Sequence, residues 1–433
     1  MMKVSQFTTS LPYEGNVLLF NSFTDHFILV KPVLKELLDA SKEAGDVEGL
    51  KNYHPAFFEE LQKQGFILDA AHDEVEEVKK VSRKVDSDVS KYLLTINPTM
   101  GCNFKCWYCY ETHVPGSKMA EDTIENVLKF VRREKEENKE LKFFSMSFFG
   151  GEPLIYYDQV VVPLLKGAKS IFQDSDIVFG SSFTTNGYLL NQEKIDFLKA
   201  HSVSGMQITL DGSEAFHDKV RYVNANKGSY KKIISNIKLL AKNGMQITMR
   251  INFTRDNFIS CLDIANDFDD LNVKYKKNIL VDFHQVWQDE EGETVSTIPA
   301  TDKFMTAGFN IRAKATNLNN VVDSCYADKM NSATINYNGE VFKCTARDFT
   351  TDNSLGVLHS DGTVIWKDEY LRRQNAKFHN APCLECKLMP LCNGGCSQHA
   401  YEHLDDEKGY CVFGFDEYKK DEIILERFRL KVS

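Results

Sequence analysis

Eleven cysteines carry most of the potential chemistry of this 433-residue chain, and they are unevenly placed. Three fall within eight residues, Cys102, Cys106 and Cys109; seven lie between positions 325 and 411; Cys261 stands alone. In a reducing compartment thiols clustered at such spacing serve metal rather than disulfides. Three thiolates this close can wrap one face of a cubic iron–sulfur cluster, leaving the fourth iron without a protein ligand. A structural zinc ion would want a fourth protein ligand, which His113 could supply. In the C-terminal set, Cys383-x2-Cys386-x5-Cys392-x3-Cys396 read alone could also be a four-thiolate zinc site.

The elements around these residues indicate what positions them. From Tyr92 the hydrophobic pattern alternates, with strands expected at Tyr92–Asn97, Phe143–Phe149, Ile177–Phe183, Met206–Leu210, Gln246–Phe253 and Ile279–Trp287. Between them lie helical patterns at Asp122–Asn138, Gln159–Phe172, Gln192–His201, Tyr230–Asn243 and Ile259–Asp269, with a further helix at Asp302–Ala315. Six β/α units predict an α/β fold with a mostly parallel sheet, a partial TIM-like barrel whose active site gathers at the C-terminal strand ends. Cys102–Cys109 follows the first such end. Residues 1–85 read as a separate winged-helix-like unit. It has strands at Val17–Phe20 and Phe27–Val30, helices opening at Pro32 and Pro55, and a short strand at Phe66–Leu68. Asp73–Lys84 reads as a charged linking helix with a solvated face. Beyond about 320 only short strands remain, at Ala333–Tyr337, Val341–Lys343 and Val364–Trp366, so metal is expected in the core of that region.

With Tyr108 before its last cysteine, the CxxxCxxC triad resembles the signature of the radical S-adenosylmethionine (SAM) superfamily. The resemblance implies a [4Fe–4S] cluster on Cys102, Cys106 and Cys109. Its open iron would chelate the amino and carboxylate groups of SAM, and one-electron cleavage would give a 5′-deoxyadenosyl radical. Gly150-Gly151-Glu152-Pro153 closes the second strand and resembles the family's GGEP segment, which holds the methionine amino group. Two glycines allow close backbone approach, and Glu152 suits a cationic amine. Thr184 and Asn186 at the third strand end, and Thr209 and Asp211 at the fourth, match segments of peptide-modifying relatives. There the position of Thr209 contacts the carboxylate of SAM. Arg221, Arg250 and Asn252 are candidates for anion or ribose contacts, with a surface ion pair the alternative for each arginine.

The C-terminal cysteines resemble the SPASM extension of these enzymes. Thirteen residues separate Cys325 from Gly339, four separate Gly339 from Cys344, and Cys411 follows Cys396 after fourteen. By that resemblance Cys383, Cys386, Cys392 and Cys411 hold an outer auxiliary [4Fe–4S] cluster, and Cys325, Cys344 and Cys396 hold three irons of an inner one. Sulfatase-maturing relatives have an eighth cysteine where this chain has Asn319. The inner cluster then has an open iron, or borrows a ligand from Asp323, Asp328 or a substrate thiolate. Cys261 is expected to be a buried apolar residue.

The domains expected are therefore 1–85, a peptide (leader) recognition unit or else a structural cap; 86–318, the radical SAM barrel; and 319–433, the SPASM domain. The activity implied is that of a peptide maturase installing a thioether or carbon–carbon cross-link in a ribosomally made precursor peptide, fed by a donor such as flavodoxin or ferredoxin. The alternatives are a maturase of an enzyme protein, of the sulfatase or amine dehydrogenase type, and a non-catalytic metal-bearing peptide binder. Sulfatase maturases carry a catalytic Asp right after the second SPASM cysteine, where Thr345 stands here. Lys+Arg 52 against Asp+Glu 62 gives a net charge of −10, and no basic footprint suggests nucleic acid. No apolar run long enough to span a membrane and no signal-peptide core is visible, so a cytoplasmic location is expected.

Overall fold

The computed structural model describes residues 1–224, 227–289, 295–312 and 321–432. Asn319 therefore lies outside the described residues. The chain divides into two compact units. One comprises Met1–Asp88, Lys314–Met330 and Leu371–Ser433; the other comprises Val89–Ala313 and Asn331–Tyr370.

The second unit is built on an open sheet whose centre is six parallel strands in sequence order. They are Lys91–Ile96, Phe143–Phe148, Val178–Thr185, Val203–Leu210, Gln246–Phe253 and Ile279–Gln285. Alternation sets the register. Phe144, Met146 and Phe148 are fully buried beneath the covering helices while their neighbours are only partly so. Phe148 stacks on Phe183 at 4.5 Å, and each such ring contributes about 2 kcal/mol by leaving water. Helix Glu121–Glu137 answers with Val127, Phe130 and Val131 on one face. The sheet does not close. Asn310–Ile311 ends one side; on the other, Ser332–Ile335 pairs parallel to Lys91–Ile96. Three short antiparallel strands, Glu340–Phe342, Gly356–Leu358 and Val364–Trp366, extend that side.

The helices between strands depart from expectation where the backbone lacks a donor or turns left-handed. The second begins as a π turn, Tyr157–Val161, ahead of Pro163, which has no N–H to give to the ladder. The helix expected at Asp302–Ala315 occupies Ile298–Thr306 and stops before Gly308, at φ 92°. Ile259–Asp269 is a single α turn followed by a 3₁₀ segment.

The first unit contains a three-stranded antiparallel meander, Thr8–Tyr13, Asn16–Asn21 and His26–Val30. Its first strand was not legible in the pattern because Pro12 interrupts it; the strand is an edge, where a missing donor is tolerated. Glu14 and Gly15, both at positive φ, make the tight hairpin turn. Helices Pro32–Glu43 and Pro55–Lys63 pack Leu38, Phe57, Phe58 and Leu61 against Leu19 and Val30. Helix Glu74–Asp86 is no solvated linker: Val78 and Ser82 are fully buried, and Val78 packs with Phe7, Val321 and Met389. A C-terminal helix, Glu417–Val432, lies on the same unit. Ile424 is buried there, Phe428 meets Tyr13 and Phe27, and Arg427 forks onto Asp25 at 2.6 and 2.9 Å.

Candidate active site

The loop after Lys91–Ile96 carries the triad, and its shape comes from close backbone packing. Phe104, 1% exposed, anchors it against Tyr188, while its N–H donates to Cys102 Sγ at 3.4 Å. Cys102 and Cys106 are half-buried and Cys109 is exposed. Burial pushes the Cys102 thiol up to about 12, so ligation there depends on a cation that stabilises thiolate. Across the loop, the Glu152 N–H donates to the Gly101 carbonyl at 2.9 Å. A Cβ on Gly151 would sit 2.2 Å from that oxygen, and one on Gly150 (φ 75°) would sit 2.8 Å from Asn97. Both glycines are thus required for the turn to meet the triad loop.

Glu152 is wholly buried. Its carboxylate accepts from Thr185 Oγ1 (2.7 Å), Asn186 N (2.8 Å) and Leu154 N (3.0 Å), tying the second strand end to the third. The side chain therefore points inward, and what the 150–153 turn offers a ligand is its backbone; Pro153 is buried with it. Asn186 donates to Asn103 Oδ1 at 2.8 Å, inside the triad loop.

Tyr108 is the hub of the other half. Its hydroxyl donates to Asp211 Oδ1 (2.5 Å) and accepts from Arg221 Nη2 (2.7 Å) and Asn252 Nδ2 (3.1 Å). Arg221 Nε also donates to Asp211, and Arg250 Nε donates to Asn252 Oδ1 at 3.1 Å. With side chains 11% and 2% exposed, Arg221 and Asp211 form an interior pair, not a surface one. Burial lowers the Arg250 pKa, with Asp282 opposing. His217, fully buried, is pushed well below its usual range by desolvation; its Nδ1 accepts from the Asp211 N–H at 3.2 Å, so the ring is neutral. Thr209 pairs in register with Arg250 and is buried at the same strand end, and Thr184 sits at the end of the neighbouring strand beside Gln207. The structure thus joins Tyr108, Asp211, Arg221, Arg250 and Asn252 in one network, and Glu152, Asn186 and the triad loop in another.

Four residues here were missed from sequence. Glu111, two positions past Cys109, accepts from the Gly151 N–H at 2.7 Å, and burial raises its pKa to about 7. Thr112 donates through N–H (2.8 Å) and hydroxyl (2.5 Å) to Asp348, and the Tyr110 hydroxyl donates to the Thr345 carbonyl at 2.6 Å. An acid directly after a cysteine triad was the visible signal for Glu111; nothing in the pattern announced Asp348.

Cysteine-rich chemistry is also assembled in the first unit. Cys383, Cys386, Cys392 and Cys411 line one small pocket with Tyr410, Phe413 and Lys420. Asn380 donates to Cys383 Sγ at 2.8 Å, and burial pushes Cys392 up to about 12. Four thiols, an N–H donor to sulfur and largely apolar walls fit a tetrathiolate cluster better than a single ion, since the sulfurs do not converge on one position. Cys325 and Cys396 belong to this unit and Cys344 to the other. Of the two carboxylates considered as a fourth inner ligand, Asp328 is 2% exposed with both oxygens engaged, by Ser397 and Lys377. Asp323 is exposed. Cys261 is fully buried, as expected.

His113 Nε2 lies 3.6 Å from Cys109 Sγ, but the ligand atoms of the triad and His113 do not converge on a position for a single ion. The comparison with known families agrees: residues 96–266 match the Radical SAM superfamily model. That stretch is a radical SAM domain. The chain is 24% identical to the cysteine-type anaerobic sulfatase-maturating enzyme of Clostridium novyi (strain NT), over 69% of this chain and 85% of that protein. Streptococcus suis SuiB bound to precursor peptide SuiA shares its fold at TM-score 0.54 and 14% identity, covering 95% of this chain and 98% of that one. The anSMEcpe structure with bound AdoMet shares it at TM-score 0.55 and 18% identity, covering 78% and 96%. In the radical SAM domain the triad thiols would hold an iron–sulfur cluster, and the Tyr108 network offers fixed donors beside it. No helix among the described residues is long and apolar enough to cross a membrane.

Proposed function

We propose that this radical SAM enzyme installs an intramolecular cross-link, of thioether or carbon–carbon type, in a ribosomally made precursor peptide. The observation that carries this reading is coverage. The likeness to SuiB spans 95% of the chain, whereas that to anSMEcpe spans 78%. Thr345, where sulfatase maturases have a catalytic Asp, also argues against the enzyme-maturase alternative.

The N-terminal unit supplies a place for an extended leader. Of its two edge strands, Thr8–Tyr13 carries Pro12 and lacks a donor there, while His26–Val30 has a full set. Leu29 on that edge is 48% exposed, so a leader added as a fourth strand gains both backbone pairing and an apolar contact. SAM held at the triad would supply a 5′-deoxyadenosyl radical for abstraction of a substrate hydrogen. Around it, the turn at 150–153 would orient the methionine amine through backbone carbonyls. Thr184, Thr209 and the Arg221, Arg250 and Asn252 donors would take carboxylate or ribose oxygens. Ten cysteines would hold three [4Fe–4S] clusters: the triad one, an outer one on Cys383, Cys386, Cys392 and Cys411, and an inner one on Cys325, Cys344 and Cys396. Forming the cross-link removes two hydrogens, one as the atom abstracted and one as a proton and an electron, and the auxiliary clusters held by the C-terminal thiols would accept that electron. A flavodoxin or ferredoxin would prime the triad cluster, and a cytoplasmic location fits both clusters and donor.

The test incubates the reconstituted enzyme with SAM and the short peptides encoded beside its gene. A mass loss of two hydrogens in one of them, with 5′-deoxyadenosine formed, is the expected result. Modification of a folded protein alone would sink the precursor-peptide reading, and absence of 5′-deoxyadenosine would favour a binding protein.

A further inference from the structure

Arg373 is the largest fully buried side chain outside the barrel unit, and it is charged. Burying a guanidinium is costly unless its donors are met, so its partners indicate its purpose. Nη1 donates to the Ala327 carbonyl at 2.8 Å, two residues past Cys325. Nε donates to Gln398 Oε1 at 2.9 Å, two residues past Cys396. A second bridge joins the same two segments. The Asp328 N–H donates to the Cys325 carbonyl at 2.9 Å, while its Oδ1 accepts from the Ser397 N–H at 3.1 Å and from the Ser397 hydroxyl. Lys377 Nζ, 3.4 Å from Asp328 Oδ2 and 2.7 Å from Asp86 Oδ2, balances the charge. After these bonds Arg373 Nη2 remains buried with no hydrogen-bond partner, 3.9 Å from Asp328 Oδ1.

We propose that Arg373 and Asp328 form a clamp that sets Cys325 and Cys396 for the inner auxiliary cluster, and that Nη2 donates to a sulfur of that cluster. The proposal rests on the reading of these two cysteines as ligands. Two side chains of opposite charge crossing the same pair of segments fix their spacing before any metal arrives. The orphan donor is what a bound anionic group would satisfy, and N–H donation to cluster sulfur raises its reduction potential. Arg373 and Asp328 are therefore positioning residues.

The full-length, anaerobically reconstituted protein is compared with C325A, R373K and D328N by iron content, Mössbauer and EPR spectra, and redox titration of each cluster. C325A should lose about four irons per chain, one [4Fe–4S] unit. R373K should keep the triad and outer clusters unchanged while the inner signal shifts and its potential falls, because the ammonium cannot span both segments. D328N should lose inner-cluster iron selectively. If R373K and D328N match the wild type in iron, spectrum and potential, the clamp is wrong. It is equally wrong if either variant loses the outer cluster together with the inner one, since that is general unfolding. If C325A itself loses no iron, the cluster assignment fails; if only C325A loses iron, the assignment stands and the clamp alone falls.

Discussion

The triad loop and the four-thiol pocket are both cysteine sites, and they are built on opposite plans. The triad offers three thiols on a loop at a strand end, and its other walls come from distant strands as charged and amide side chains: Asp211, Arg221, Arg250, Asn252. The pocket takes three thiols from one stretch of chain and a fourth from Cys411, with walls that are apolar apart from Lys420. Holding a four-iron cluster, the first would leave a coordination position for a ligand and surround it with polar donors, whereas the second would complete its coordination with its own thiols. An incomplete ligand set with polar neighbours suits reaction; a complete one with apolar neighbours suits electron storage and folding.

The sharpest way to break this contrast is to remove each set of thiols. Replacing Cys102, Cys106 and Cys109 by Ala should abolish 5′-deoxyadenosine formation by chromatography, with the circular dichroism and the auxiliary iron retained. C411A should instead lower the thermal unfolding temperature of the first unit and release iron, with the triad cluster still visible by EPR; equal damage to both functions would erase the distinction. Next in size, D211N leaves Arg221 buried without its counter-charge, which costs about 3–5 kcal/mol. That loss should be read by denaturant unfolding of the barrel unit. Y108F removes one hydroxyl from the same network and should weaken SAM binding about tenfold by calorimetry, the equivalent of one buried hydrogen bond near 1.4 kcal/mol. An unchanged affinity would place SAM away from Tyr108.

The smallest effect belongs to the first unit's surface. Burial alone would raise the Asp25 pKa, but hydrogen bonds from Arg427 and Lys431 hold it below the usual carboxylate range. Its folded pKa is thus depressed, so its contribution is present above the unfolded value near 3.8 and is lost as pH falls through the folded value. D25N should raise hydrogen exchange in helix Glu417–Val432 at pH 7, and the difference from wild type should vanish in acid.

Much of the site was legible because its signals are local. The triad, the Gly150-Gly151 turn and the seven C-terminal cysteines are spacings along the chain, and five of the six barrel strands begin within three residues of where their alternation places them; the sixth, Gln246–Phe253, coincides in full. What failed was non-local or unpatterned. Thr8–Tyr13 was hidden by Pro12, and helix Glu417–Val432 has too weak an apolar face to announce itself beside its nine charged residues. The burial of helix Glu74–Asp86 depends on Phe7, Val321 and Met389, none of them near in sequence.

Sequence by itself determined which residues could bind metal and SAM, because ligand identity and spacing are covalent properties of the chain. Only the tertiary structure decided how they are served. It turned Glu152 inward, made Arg221 an interior partner of Asp211 rather than a surface charge, and gave the buried Asp328 carboxylate Ser397 and Lys377 as partners. The physical reason is burial: a charged side chain far from water must find its partner in space, and spacing along the chain carries no record of that partner.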